Sequence, residues 1–192
     1  MTQQARPNPV ELFERATSGL NQILSGVKQD QVNAQTPCRE WKVRGLLDHV
    51  IGGASHLGVS MAGGAGPASP PTPEGDLAQL AASYRSAVAQ VLEKAASPAA
   101  LEAQVATPAG EMSAAQFMGI LALDNLVHTW DLAKATGQNT RLDPALTETC
   151  YAMFVPGLID MARPHGAFGP PVSVPNSAST QDKLLGYTGR QP

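Results

Sequence analysis

The chain has 192 residues, 43% of them apolar and 15% charged, with a formal net charge of −3. That length predicts one domain over 1–192 with a core of ordinary size, and the apolar share is enough to fill it. The slightly acidic balance, with no basic stripe, argues against nucleic acid as a partner. No apolar run approaches the roughly 18 residues of a membrane span, and the opening MTQQARPNPVELF lacks the apolar centre of a signal peptide, so a cytoplasmic protein is expected.

The first element runs from Pro9 to about Val27. Val10, Phe13, Ala16, Thr17, Leu20, Ile23, Leu24 and Val27 form a stripe of helical period, and Pro9 suits a first helical position. A Pro-containing turn, TPCREW, then leads into a second helix from about Lys42 to Ala62, with Val43, Leu46, Leu47, Val50, Ile51, Leu57 and Met61 on its apolar side. Lys42 occupies the N-cap position, where Ser, Thr or Asp would normally help, so packing of Trp41 is expected to support that start. Gly52 and Gly53 each cost about 1 kcal/mol relative to Ala inside a helix, which points to close packing on a neighbour or to a bend.

MAGGAGPASPPTPEG is too rich in Gly and Pro to continue the helix and reads as a loop able to serve as a flap. Asp76 caps a third amphipathic helix, LAQLAASYRSAVAQVLEKA. LEAQVATPAGEMSA alternates around a turn and reads as a small hairpin. Ser113 and Gln116 make a capping box for a fourth helix, about Ala114 to Thr136, which Gly137 closes. Pro144 opens a fifth, to about Ala162, with Pro156 as a kink. Beyond Arg163 an extended tail is expected, with a last turn at QDKLLGY. These elements predict an all-α fold, a four-helix bundle over about 8–165 with an added C-terminal helix and a tail over about 166–192. Bundles build their ligand and metal sites from side chains on facing helices.

Two polar groups interrupt the apolar fourth helix. Asp124 and His128, four residues apart in LALDNLVHTWDLAKATG, stack on one helix face. Alone, the pair is explained by a local hydrogen bond. His49, set among apolar residues in LLDHVIGG, can face them across the bundle, and two imidazoles with one carboxylate form a donor set for zinc or another first-row divalent ion. A single histidine on an apolar face is more often a satisfied core residue, so the constellation carries the metal reading. Around it, His56 lies two turns beyond His49, a distance of about 10.5 Å that removes it from the same ion and leaves it as a pocket-mouth or packing residue. Asp131 can orient His128 or form an exposed ion pair. Arg39 and Arg44 can fork onto a substrate carboxylate or simply decorate the second helix. Trp41 and Trp130 read as packing residues. Cys38 and Cys150, far apart and outside any CxxC, read as reduced structural thiols, although Cys38 near a helix start has the setting of a reactive one.

TPCREWKVRGLLDHVIGG, LALDNLVHTWDLAKATG and the ending FGPPVSVPNSASTQDKLLGYTGRQP together resemble the DinB-like metal-binding bundles. The resemblance is to the actinobacterial branch that includes mycothiol-dependent maleylpyruvate isomerase. It implies a DinB-like four-helix bundle with His49, Asp124 and His128 as metal ligands. It also implies zinc as the ion, with nickel, iron or manganese as alternatives, and mycothiol as a cosubstrate. The isomerase pattern has glutamate where this chain has Asp124, whose shorter reach draws the ion toward the fourth helix, and its C-terminal region differs from this tail.

Three functions follow as expectations. The first is a metal-dependent thiol transferase or isomerase that acts on a small-molecule substrate by lowering the pKa of a low-molecular-weight thiol. The second is a hydrolase or lyase that activates water at the same site. The third is a non-catalytic metal-binding or stress-related protein. A homodimer through the fifth helix is a further expectation.

Overall fold

A computed structural model describes residues 7–39, 41–64, 75–107 and 110–192. Most of the loop expected to form a flap, residues 65–74, lies outside the described residues. The helices are α1 (Pro9–Ser25), α2 (Val43–Met61), α3 (Leu77–Lys94), a single turn α4 (Pro98–Leu101), α5 (Ala114–Thr136), α6 (Pro144–Phe154), α7 (Gly157–Ala162) and α8 (Thr180–Tyr187). A two-stranded antiparallel hairpin, β1 (Gln104–Thr107) and β2 (Gly110–Ser113), pairs Val105 with Met112 just before α5. Among the described residues no helix is long and apolar enough to cross a membrane.

Local chemistry sets most of the helix starts. The Asn8 side chain accepts from the Val10 amide at 3.0 Å, and Pro9 opens α1. Asp76 with Gln79 and Ser113 with Gln116 form reciprocal capping boxes at α3 and α5. Gly137 closes α5 at φ 71°, a left-handed conformation that a side chain would strain. The start of α2 adds backbone bonds to what the sequence led one to expect. Lys42 makes no capping bond, and the Val43 and Arg44 amides instead donate to the backbone carbonyls of Ala34 (3.0 Å) and Val32 (2.9 Å). The preceding loop thus caps the helix, and Trp41 packs on its first turn as expected, with a ring atom 3.4 Å from where a β-carbon on Gly45 would lie.

The helices α1, α5, α2 and α3 form a ring in which each packs on its neighbours. The contact of α2 with α5 is close at Gly53, where a β-carbon would come within 3.0 Å of a Leu121 methyl, so the glycine permits the approach of the two helices. Apolar side chains fill the ring along its length. Leu20, Leu46, Leu47, Leu80 and Tyr84 are buried toward one end, and Phe13, Leu57, Val91, Val105 and Met118 toward the other. From Asn125 to Ala133 every residue of α5 is buried, as suits a helix enclosed on all sides.

The expected fifth helix is two helices. Pro156 lacks the amide that would continue α6, and it pushes Val155 to an extended conformation (φ −106°, ψ 127°), so the chain restarts as α7. The closing QDKLLGY is also more than a turn. It forms the helix α8, packed on α6 with Leu184 and Leu185 fully buried beside Leu146 and Cys150.

Candidate metal centre

Asp124, His128 and Asp131 follow one another at i, i+4 and i+7, so α5 presents all three on a single face. His49 meets that face from α2. Its Nε2 lies 3.1 Å from both carboxylate oxygens of Asp124, while His128 Nε2 lies 3.4 Å from Oδ1. One donor atom from each of the three residues falls within 4.8 Å of the others, and these are the ligand atoms that an ion would need. The shorter aspartate therefore still closes the triangle with both imidazoles.

The three candidate ligands differ in exposure. The His128 side chain is 5% exposed, Asp124 23% and His49 37%, so the cluster is sealed on the α5 side and open beside His49. Trp41 supports it. Its ring stacks on His49 with centroids 4.3 Å apart and lies 5.5 Å from His128, and the two imidazoles meet edge to face at 5.2 Å. Trp41, read from sequence as a packing residue, thus packs on the site itself.

Behind His128 a second set of contacts fixes the ring. His128 Nδ1 lies 2.9 Å from Asp131 Oδ2, and Asp131 is fully buried. The carboxylate also receives Arg190, with Nη2 at 2.8 Å from Oδ2 and Nε at 3.3 Å from Oδ1. A carboxylate paired with a guanidinium accepts, so Nδ1 donates to Asp131 and Nε2 is left facing Asp124 and His49. The arrangement in which a histidine donates one nitrogen to a carboxylate and offers the other is the one that metal-ligating histidines adopt.

The charges agree with the geometry. Burial alone would raise the Asp124 pKa, but the neighbouring imidazoles of His49 and His128 override it and hold the carboxyl well below the usual range. Burial would lower His128, yet Asp124 and then Asp131 raise it to about 9. Asp131 is likewise held down against its burial, by His128 and Arg190. The imidazole of His128, held between two carboxylates, retains a proton that a divalent cation can displace, so the donor set fits an ion.

The remaining candidates lie elsewhere. His56 Nε2 bonds to the Ala106 carbonyl of β1 at 2.8 Å, and its ring meets Phe117 edge to face at 5.8 Å. Arg44 pairs with Asp48 one turn on, at 3.1 Å, and donates to the Gly75 carbonyl at 2.9 Å, which ties the far end of the glycine- and proline-rich loop to α2. Trp130 is buried, with the Lys134 ammonium 4.5 Å above its ring. Cys150 is fully buried, and burial pushes its thiol up to about 12, which leaves it unreactive. Cys38 stands close enough to Arg190 for the two to interact electrostatically. Arg190 itself carried no signal in the sequence, because nothing local connects YTGRQP to a residue on α5.

The sequence model of the mycothiol maleylpyruvate isomerase N-terminal domain family matches residues 13–133, which include His49, Asp124, His128 and Asp131. The chain belongs to this family. It is thereby a member of the DinB-like actinobacterial group. The chain is also 33% identical, over 188 residues, to uncharacterized proteins from two strains of Mycobacterium tuberculosis, covering 95% of this chain and 98% of theirs. Among solved structures, mycothiol-dependent maleylpyruvate isomerase superposes with a TM-score of 0.60 at 19% identity, and a mutant of that enzyme with a TM-score of 0.58 at 16%. The alignment covers 73% of this chain and 65% of the isomerase, so the likeness is one of fold over part of the larger enzyme. The tail that carries Arg190 lies beyond the segment matched by the family.

Proposed function

We propose that this protein is a divalent-metal enzyme, in which His49, Asp124 and His128 hold the ion, zinc by preference, and mycothiol is activated for S-transfer or isomerisation of a small-molecule substrate. The observation that carries the reading is the cluster of three donor atoms within 4.8 Å of one another, on a site open beside His49. Among the described residues no fourth ligand joins this group, which favours a centre with open positions over a closed structural one. When bound, such an ion supplies positive charge that lowers the pKa of a thiol or water placed next to it.

The protein's own residues do the rest. Asp131 orients His128 through Nδ1, so that Nε2 points into the site. The ring of Trp41 walls the side of His49 and keeps that imidazole from turning away. The buried face of α5 excludes water behind the ligands and leaves the His49 side as the approach for thiol and substrate. Tyr84 donates to Asn125 Oδ1 at 2.7 Å, and burial with Asp124 nearby keeps its hydroxyl protonated, so the helix carrying the ligands is braced from α3.

Metal analysis of the purified protein and of His128→Ala tests the reading. The wild type is expected to retain a stoichiometric divalent ion that the variant loses. Mycothiol added to the Co2+-substituted protein is then expected to alter its visible absorption, whereas a thioether analogue without the thiol leaves it unchanged. A wild type with no more metal than His128→Ala would refute the centre. A metal-loaded protein indifferent to mycothiol would refute the thiol and leave water activation or a non-catalytic metal site.

A further inference from the structure

The C-terminal tail reaches back to the site in a defined way. Gly189 turns the chain at φ 87°, and a β-carbon there would come 3.0 Å from Gly169 Cα, so only glycine fits this crossing. The Arg190 amide then bonds to the Leu185 carbonyl at 2.8 Å, and Arg190 Nη1 bonds to the Thr188 carbonyl at 2.8 Å. The rest of the guanidinium goes to Asp131. Arg163 secures the tail from outside, donating to the carbonyls of Gly169 and Tyr187. The Val172 amide bonds to the Gly186 carbonyl at 2.8 Å, and Lys134 holds the Gln191 carbonyl at 3.0 Å. Arg190 is thus delivered by an anchored turn and is only 7% exposed.

Its partner needs it. Asp131 has no exposure to solvent, and a buried carboxylate without a cation carries a large desolvation penalty. His128 Nδ1 and Arg190 Nη2 share Oδ2, and Arg190 Nε also reaches Oδ1 at 3.3 Å, so the guanidinium is the group that engages both carboxylate oxygens. A forked contact of this kind fixes both the position and the rotation of the carboxylate. Without Arg190, the Oδ1 contact is lost and, among the described residues, Asp131 keeps only its bond to His128 Nδ1.

We propose that Arg190 is a positioning residue for the metal centre, acting through Asp131 on His128, so that docking of the C-terminal tail and loading of the ion are coupled. The inference rests on His49, Asp124 and His128 being the ligands. It adds that the bundle segment matched by the family does not make a complete site in this protein, and that the tail completes it. Coupling of this kind is reciprocal: if the docked tail favours the ion, the ion favours the docked tail.

The test uses the full chain, with Zn2+ as the probe and affinity measured by competition with a chromophoric chelator. Arg190→Met keeps the length of the side chain and removes the fork, and it is expected to weaken Zn2+ binding about 10- to 100-fold, the usual range for loss of a group that supports a ligand. Arg190→Lys restores the charge and is expected to recover part of that loss. Val91→Ala, a core change on α3, serves as a control that lowers stability and leaves Zn2+ affinity as in the wild type. Hydrogen exchange on the wild type provides a measurement that needs no variant: Zn2+ is expected to slow exchange of the Arg190 amide. Equal Zn2+ affinity in wild type and Arg190→Met, or an exchange rate at Arg190 indifferent to Zn2+, overturns the inference and leaves the metal reading standing. Failure of the wild type itself to bind Zn2+ overturns the metal reading.

Discussion

The α5 face and the C-terminal tail build one site by opposite means. On α5, Asp124, His128 and Asp131 are placed by helical spacing alone, and any chain that folds this helix presents them together. The tail has no such regularity. Its last residues hold their course through backbone bonds, the Arg163 contacts and the tight Gly189 crossing of Gly169, and only then does Arg190 meet Asp131, 59 residues away. One half of the relay is written into local geometry and the other half depends on the packing of everything between. A helix face can thus be set out by local spacing while one of its carboxylates takes its partner from a distant segment.

The strongest way to break the comparison is Asp131→Ala, which strips both halves of their common partner. It leaves the Arg190 cation buried and unpaired, and a loss of about 3–5 kcal/mol in urea unfolding is expected. A loss below 1 kcal/mol would show that the tail is not engaged with α5 in solution. Acidity reads the same groups. The raised pKa of His128 contributes stability to the metal-free protein that is fully present below about pH 6.5 and is lost as pH rises through about 9. The lowered Asp124 and Asp131 contribute stability that is present above about pH 4 and is lost as pH falls. The melting temperature in a chelator is therefore expected to decline from pH 6.5 to 9.5. Zn2+ affinity is expected to rise over the same interval, because the ion displaces the proton of His128. A melting temperature that is flat over this range would remove the ion-paired His128.

Leu184→Ala probes the tail without touching its polar contacts. Leu184 is fully buried against α6, and truncation is expected to cost about 2–5 kcal/mol by equilibrium unfolding. Because the turn bearing Arg190 begins one helical turn later, the same variant is also expected to weaken Zn2+ binding, which separates it from Val91→Ala. On the other side of the comparison, Ser113→Ala removes the cap of α5 at the end remote from the ligands. It is expected to cost about 1 kcal/mol and to leave Zn2+ affinity unchanged. The smallest effect belongs to Arg15→Ala. Its forked contact to Asp143 is half-exposed, and the loss is expected to be at most about 1 kcal/mol and to fade in high salt.

Much of the fold was legible because its signals are local. Pro9 at the start of α1, Asp76 before α3, Ser113 with Gln116 and Gly137 after Thr136 mark helix ends within a few residues, and the structure uses all of them, adding Asn8 and Gln79 as capping partners. The break at Pro156 was legible as a kink and proved to be a full restart, since Val155 becomes extended as well. The expected closing turn became a helix because Leu184 and Leu185 find an apolar surface on α6 that the tail sequence does not display.

For the site, the sequence by itself determined which residues could act together on one face. Asp124, His128 and Asp131 share a face by periodicity, and His49 stood out as an imidazole in apolar surroundings. Tertiary structure alone decided that His49 Nε2 reaches Asp124 at 3.1 Å, that Trp41 stacks on it, and that Asp131 is a buried anchor rather than an exposed ion pair. It also decided that Arg190 closes the relay. The physical reason is the range over which each kind of information acts. Helical spacing and capping are settled within a few residues by backbone geometry, whereas a guanidinium and a carboxylate 59 positions apart meet only once apolar packing has fixed α5, α6 and α8 against one another.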